Sequence, residues 1–355
     1  MDVYTAKAAA AHWGVSQRRI SVLCSEGRIN GAELVGKMWL IPKSAQKPED
    51  ARTTRFLPDK NAPIRPFLKW AGGKSQILHE IRKRYPAGLG KSITKYAEPF
   101  VGGGAVLFDI LASYSLSDIY ISDINRELIL TYKIIRDGVS DLIDVLQMLE
   151  NEYLTADTDT RKTIYYRNRD SFNALKAEQS ASAELAALFL FLNRTCFNGL
   201  YRVNRKGGYN VPQGSYNHPT ICDENNLRAV SDKLQNVQII CCNYKLSREF
   251  IDTSTFVYFD PPYRPLTATA NFTAYSCDGF GDAEQIELAR FIDEMTELGA
   301  WVVASNSDPK NIDEHNDFFD RIYSRYKITR INATRAINSL GSSRGCVREL
   351  LIARL

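Results

Sequence analysis

The chain has no CxxC pair, and its seven cysteines, Cys24, Cys196, Cys222, Cys241, Cys242, Cys277 and Cys346, are odd in number. Such spacing supports neither a zinc site nor a disulfide framework, so no metal is expected and the thiols read as reduced. No run of ~18 apolar residues occurs, and the first residues carry no signal-peptide pattern. The expectation is a soluble, intracellular protein with no membrane partner. The Gly-x4-Gly-Lys-Ser/Thr phosphate loop is missing. So is G-x-G-x-x-G, which argues against a dinucleotide. Acidic residues are absent from a whole stretch, with no Asp or Glu from Asn193 to Cys222.

What remains is ordinary in bulk. An apolar content of 44% and a charged content of 24% suit a globular protein, and 355 residues suggest two or three domains. The net charge of +4 is uneven: residues 1–55 hold nine Lys/Arg against five Asp/Glu, and the rest of the chain holds 36 of each sign. A basic head on a neutral body points to a polyanion.

The most informative stretch is Val257-Tyr258-Phe259-Asp260-Pro261-Pro262-Tyr263. An apolar, β-rich run from Thr255 reads as a buried strand, and two prolines end it at Asp260. That places Asp260 beyond the carboxyl end of a strand, where open α/β sheets hold ligands. A carboxylate, the Pro261 carbonyl and the flat face of Tyr263 suit a planar ring with an exocyclic amino group, such as adenine N6. Acceptors on its hydrogens favour a pyramidal, nucleophilic nitrogen in the transition state. Asp-Pro-Pro is also a common turn after a strand.

Taken in order, Val3–His12 reads as a helix capped by Thr5 and broken at Gly14. Ser16 caps a second helix, Gln17 to Ser25, which Gly27 ends. Arg18 and Arg19 fall in its first turn, where a recognition helix meets DNA. A hairpin around Gly36-Lys37 follows, and residues 43–65 read as a linker. This head resembles the winged helix-turn-helix of MerR- and excisionase-type proteins; a protein-docking module of the same shape is the alternative. Gly72-Gly73 before Lys74 opens a helix and makes an anion or carboxylate site. The strand Tyr96–Glu98, then Gly102-Gly103-Gly104, then a helix forms a nucleotide-binding turn, and Asp123 at the end of the next strand is placed for ribose hydroxyls or as a helix cap. Residues 126–192 read as helical. In the acid-free stretch, Arg194, Arg202, Arg205 and Lys206 suit phosphates; Phe197, Tyr201, Tyr209 and Tyr216 suit stacking; Asn193, Asn198, Asn204 and Asn210 suit base edges. Strands are expected at Val237–Tyr244 and Ala300–Asn306, with a closing hairpin from Ala336–Ser339 and Val347–Ile352 at the sheet edge.

In this order, FLKWAGGK, AEPFVGGGA, ISDIN, LNRTCFNGLYRVN and FDPPYRPLTATANFTAY resemble the Dam-type, D12 class DNA adenine-N6 methyltransferases over about residues 66–352. The resemblance implies an α/β fold: a doubly wound, mostly parallel seven-stranded sheet with an inserted helical target-recognition domain. It divides the chain into a head (1–55), a first catalytic part (56–150), a recognition domain (151–235) and a second catalytic part (236–355). The implied cofactor is S-adenosylmethionine, in a pocket of Trp70, Ala71, Gly72, Lys74, Glu98, Phe100, Gly102, Asp123 and Asp260. Asp260, Pro261 and Tyr263 would hold the flipped adenine. Lys69, Arg194, Phe197, Asn198, Leu200, Arg202 and Pro212 would meet double-stranded DNA, joined by Arg18 and Arg19 of the head. Family members that read GATC often carry an aromatic and an arginine where this chain has Gln213-Gly214-Ser215, and a GATC-like site stays open.

A cognate restriction endonuclease is an admitted partner, and the implied location is the cytoplasm, with the nucleoid of a prokaryote or phage host. Two alternatives stand beside this reading. One is an inert DNA-binding regulator, disfavoured by the presence of Asp260, Tyr263, Lys74 and Asp123. The other is methylation of a non-DNA amide or amine, which leaves the acid-free stretch unexplained.

Overall fold

A computed structural model of the chain describes residues 3–13, 17–25, 27–36, 38–48, 64–70, 72–264, 280–334 and 346–354. Gly14, Ser16, Lys37, most of the expected linker, Ala71, the end of the FDPPY motif from Pro265 and the expected strand Ala336–Ser339 lie outside the described residues. Two compact units divide the chain at Ala62 and Pro63.

In the first unit, β1 (Val3–Thr5), α1 (Ala6–Trp13), α2 (Gln17–Ser25), β2 (Glu33–Val35) and β3 (Met38–Pro42) build a three-stranded antiparallel sheet, order β1-β3-β2, with two helices. Thr5 caps α1 as expected, its Oγ1 accepting from the Ala8 amide at 3.3 Å. The residues before it are a strand rather than the start of the helix: Val3, Tyr4 and Thr5 pair with Pro42, Ile41 and Leu40. β-branched and aromatic side chains favour that pairing once the hairpin offers an open edge. Ala9, Ile20, Leu23 and Ile41 fill the small core.

The second unit contains α3 (Leu78–Arg82), β4 (Lys95–Glu98), α4 (Ala105–Ser113), β5 (Asp118–Asp123), α5 (Arg126–Thr155), α6 (Thr158–Ala177), α7 (Ala183–Thr195), α8 (Glu224–Leu234), β6 (Val237–Cys241), β7 (Thr255–Phe259), α9 (Asp282–Glu297), β8 (Trp301–Ser307), α10 (Phe318–Ile322), β9 (Lys327–Thr334) and β10 (Cys346–Ala353). Its sheet has seven strands in the order β6-β5-β4-β7-β8-β10-β9. Only β10 runs against the others.

Both faces of the sheet are covered, which is why its strands read as continuous apolar runs. Tyr96, Ile119, Ile121, Phe256 and Tyr258 join the core beneath α4, α5 and α7. Their neighbours Ala97, Tyr120, Val257 and Phe259 join the opposite core with α9 and α10. This is the period-two alternation of a strand buried on two sides. The chain winds outward from β4 to β6, then returns to place β7 on the other side of β4. The carboxyl ends of β4 and β7 therefore flank the point where strand order reverses, the usual ligand position.

Of the expected closing hairpin, Ala336–Ser339 lies outside the described residues, and Val347–Ile352 lies in β10, which pairs with β9 (Lys327–Thr334). Arg330 of β9 faces Asp308 and Asp320, so the segment reads as polar and hides its strand character. β6 ends at Cys241, and Tyr244 opens a short 3-10 helix capped by Asn243, which accepts from the Lys245 amide at 3.0 Å. Residue 150 falls inside α5, whose backbone leaves helical geometry at Gly138 (φ −147°, ψ 41°). The structure places no group of three His, Cys, Asp or Glu to hold a metal ion among the described residues. Nor is any described helix long and apolar enough to cross a membrane.

Candidate active site

β7 is buried along its whole length and delivers Asp260 at its carboxyl end. Two donors converge on the same oxygen of Asp260: Lys74 Nζ lies 2.8 Å from Oδ1, and Ser305 Oγ donates to Oδ1 at 2.9 Å. Tyr258 in turn donates to Ser305 Oγ at 2.9 Å. Lys74 is 2% exposed, and it also donates to Gly72 O at 2.6 Å and Tyr263 Oη at 2.7 Å. An ammonium has three protons, and these three acceptors match them. Burial alone would lower the Lys74 pKa, but the charges of Asp260, Tyr263, Tyr258 and Glu349 outweigh it and hold the ammonium well above its ordinary value. Burial pushes the Asp260 carboxyl up, while Lys74 and Ser305 pull it down. The pair is best described as an ammonium facing a carboxylate, since Lys74 has acceptors on every side.

The proline loop is braced from behind. Gln285 of α9, fully buried, donates to Pro262 O at 3.0 Å, and Asn306 donates to Gln285 Oε1 at 3.1 Å. Asn306 Oδ1 accepts from the Ser307 amide at 2.9 Å. Sequence reasoning missed Ser305, Tyr258, Gln285 and Asn306. A usable signal existed: Ser305-Asn306-Ser307 ends a buried apolar strand with consecutive polar residues, all buried, and buried polar groups need partners.

A second cluster surrounds the glycine turn after β4. Gly102 has φ +46°, and a Cβ there would stand 2.8 Å from the Trp70 ring. Only glycine suits both the backbone and the close approach. Its amide donates to Asp123 Oδ2 at 3.2 Å, and Tyr132 donates to its carbonyl at 3.1 Å. Asp123 Oδ1 accepts from the Asn125 amide at 2.9 Å. The cap of α5 is Asn125, accepting from the Leu128 amide, and not Asp123. Burial pushes Asp123 up to about 6 against those backbone donors. Glu98 is buried and accepts from Tyr96 Oη at 2.6 Å. Burial raises it to about 8, with the Tyr96 hydrogen bond opposing and the Asp260 charge assisting. Phe100 stacks on Tyr244 at 5.2 Å, and the Trp70 ring lies 6.0 Å from Tyr201.

The acid-free stretch divides in two. Phe197 is 46% exposed, on a turn in which Asn198 has φ +56°. The Phe197 amide donates to Pro212 O at 2.9 Å. Leu200 is half-buried behind the turn. Lys69 Nζ sits 4.1 Å over the Tyr216 ring.

Several residues expected to face a ligand face the protein instead. Asn193 is buried and bonds the Lys69 backbone. Asn204 accepts from the Lys206 and Gly208 amides of its own turn. Asn210 Oδ1 accepts from Arg202 Nε at 2.8 Å. Tyr201 and Tyr209 are core residues, and Arg194 donates to Phe67 O at 2.7 Å. Backbone groups claim the polar atoms of Asn193, Asn204, Tyr209 and Arg194, the buried Glu127 takes the Tyr201 hydroxyl, and the Arg202 guanidinium takes Asn210. The side chains of Arg18 and Arg19, like Ala71, lie outside the described residues.

Comparison with known proteins gives a consistent result. A profile of the D12 class N6 adenine-specific DNA methyltransferase family matches residues 70–337. The chain is 46% identical over 291 residues to the type II methyltransferase M.MjaIII of Methanocaldococcus jannaschii, covering 81% of this chain and 98% of that protein. It is 33% identical to the type II methyltransferase M1.LlaDCHI of Lactococcus lactis subsp. cremoris, covering 81% and 95%. It is 35% identical to the DNA adenine methylase of Escherichia coli, covering 81% and 94%.

Proposed function

The chain belongs to the D12 class N6 adenine-specific DNA methyltransferase family, and from that premise we propose that it methylates N6 of an adenine turned out of a short duplex site, using S-adenosylmethionine. The observation that carries this reading is Asp260 at the carboxyl end of β7, with both of its donors on Oδ1.

The residues around the glycine turn fit the cofactor. Gly102 leaves room beside the Trp70 ring that no side chain could share, and Asp123 and Glu98 put acids at the ends of adjacent parallel strands. Trp70, Gly72, Glu98, Phe100, Gly102 and Asp123 would hold it, with Asp123 on the ribose. When bound, the cofactor supplies a methyl group activated by a sulfonium. The protein's own part is orientation and charge. Tyr263 offers the stacking face, and Asp260 and the Pro261 carbonyl accept the amino hydrogens of adenine. Those hydrogens grow more acidic as the N6 lone pair leaves the ring, so the acceptors bind the transition state more tightly than the substrate. Lys74 keeps Asp260 anionic and fixes the Tyr263 hydroxyl.

A base inside a duplex cannot reach this pocket, so the adenine must leave the stack. Exposed Phe197 fills the gap, while Asn198, Leu200, Arg202, Pro212 and Lys69 line the DNA. Candidate sites include a GATC-like sequence. Two relatives named type II methyltransferases support a cognate restriction endonuclease as partner. The head, with two successive helices and a hairpin, supports a helix-turn-helix reading in which Arg18 and Arg19 meet phosphates. Deleting residues 1–55 should then weaken DNA binding and flatten its salt dependence without changing the methylated sequence.

The test of the main reading is tritium transfer to duplex DNA by wild type and Asp260→Ala at saturating cofactor. Wild-type labelling with a near-silent variant is expected; equal labelling by both would remove Asp260 from the reaction.

A further inference from the structure

Asn193, at the end of α7, is 4% exposed and uses its whole amide on two backbone segments. Oδ1 accepts from the Lys69 amide at 2.8 Å. Nδ2 donates to Lys69 O at 2.7 Å and to Gly199 O at 3.1 Å. One amide donor and two carbonyl acceptors fix which end of the side chain points where. Asn193 thus pairs with Lys69 as a neighbouring strand would, and ties that residue to the turn carrying Phe197 and Asn198.

That turn is not at rest on its own. Asn198 and Gly199 are consecutive left-handed residues, with φ +56° and +65°, a conformation that asparagine and glycine tolerate best, so the contacts around the turn decide where it sits. The turn also packs hard against Lys69, since a Cβ on Gly199 would stand 2.6 to 2.7 Å from the Lys69 side chain. Further hydrogen bonds run from the Phe197 amide to Pro212 O at 2.9 Å and from the Gly214 amide to Thr195 O at 2.8 Å. Among these contacts, Asn193 supplies the side chain that bridges the turn to the segment leading into Trp70 and Lys74.

We propose that Asn193 is a positioning residue for sequence discrimination. It locks Phe197–Gly199 and Lys69 into one surface, so that base-reading groups from two distant parts of the chain meet DNA in a single register. The proposal rests on the adenine methyltransferase reading above. Misplacement of a recognition group by about 1 Å costs orientation more than overall affinity. Loss of the clamp should therefore slow methylation of the correct site while leaving the slow background at altered sites unchanged.

The experiment uses the full-length chain. A methylation map of wild-type-treated DNA first defines the site. Rates at saturating cofactor are then measured on that site and on sites with one flanking base changed, for wild type, Asn193→Ala and Gly199→Ala. Melting temperature and cofactor affinity are followed in parallel. Both variants should lower the ratio of correct-site to altered-site rates by about tenfold or more, the scale of one lost base contact, with cofactor affinity within about threefold of wild type. Equal slowing at both kinds of site, or an unchanged ratio, would overturn the clamp, because a purely structural residue moves both rates together. If Asn193→Ala does not fold, Gly199→Ala carries the same test from the opposite side of the contact. A wild-type map with no methylated adenine would instead defeat the underlying reading, so the two failures are told apart.

Discussion

The rim of the sheet and the acid-free stretch from Asn193 to Cys222 carry similar side chains for opposite reasons. At the rim, Asp260, Lys74, Tyr263 and Ser305 sit on the ends of rigid strands or beside them, and their polar atoms converge on one point. In the acid-free stretch, several polar side chains serve backbone outside regular strands and helices, as Asn193, Asn204 and Arg202 do. The lesson is that residue type indicates chemistry well where secondary structure already satisfies the backbone. In an irregular segment the backbone competes for the same side chains.

This contrast can be broken by substitution. The largest effect is expected for Asp260→Ala: a loss of ~10²–10³ in kcat, on the order of a preorganised acceptor's worth, with cofactor affinity nearly kept. Next comes Arg202→Ala, which should cost about 1–3 kcal/mol at the correct site if Arg202 contacts a base; single-turnover rates on correct and altered sites would show it. Ser305→Ala should cost about 1 kcal/mol in kcat/KM, the scale of one hydrogen bond. At the small end, Asn204→Ala should leave kcat within about threefold of wild type and lower only the melting temperature. A large loss of site choice in that variant would show that the sorting of the acid-free stretch is wrong.

A pH experiment sharpens the rim side of the comparison. Glu98 has a folded pKa of about 8 against an ordinary 4.5, because burial disfavours its charge. The folded protein therefore keeps a proton that the unfolded chain releases. The stability this confers is complete below about 4.5 and is lost as pH rises through about 8. Glu98→Gln, neutral throughout, should flatten the fall in melting temperature across that window. An identical slope in both proteins would place the titration elsewhere.

Much of this was legible in the sequence. The apolar run ending at Asp260-Pro261-Pro262, the glycine turn after Glu98 and Asp123 at the next strand end all fell where the fold puts them, because buried parallel strands and their stops leave strong local patterns. β9 was not legible, since the charged Arg330 interrupts its apolar pattern and only the fold supplies the Asp308 and Asp320 that pair with it. Nor could the sequence show that the three protons of Lys74 meet Gly72, Tyr263 and Asp260. That is a matter of packing between segments nearly two hundred residues apart. Tyr201 and Tyr209 looked like stacking platforms and are core; spacing alone cannot separate an aromatic that faces out from one that faces in.

The most direct test of the central claim is the identity of the product. Duplex DNA, RNA and a protein mixture are each incubated with the full-length chain and methyl-deuterated S-adenosylmethionine, then hydrolysed and analysed by mass spectrometry. The label is expected in N6-methyladenine from duplex DNA and nowhere else. Label in cytosine, in RNA or in an amino-acid side chain, with none in DNA adenine, would contradict it.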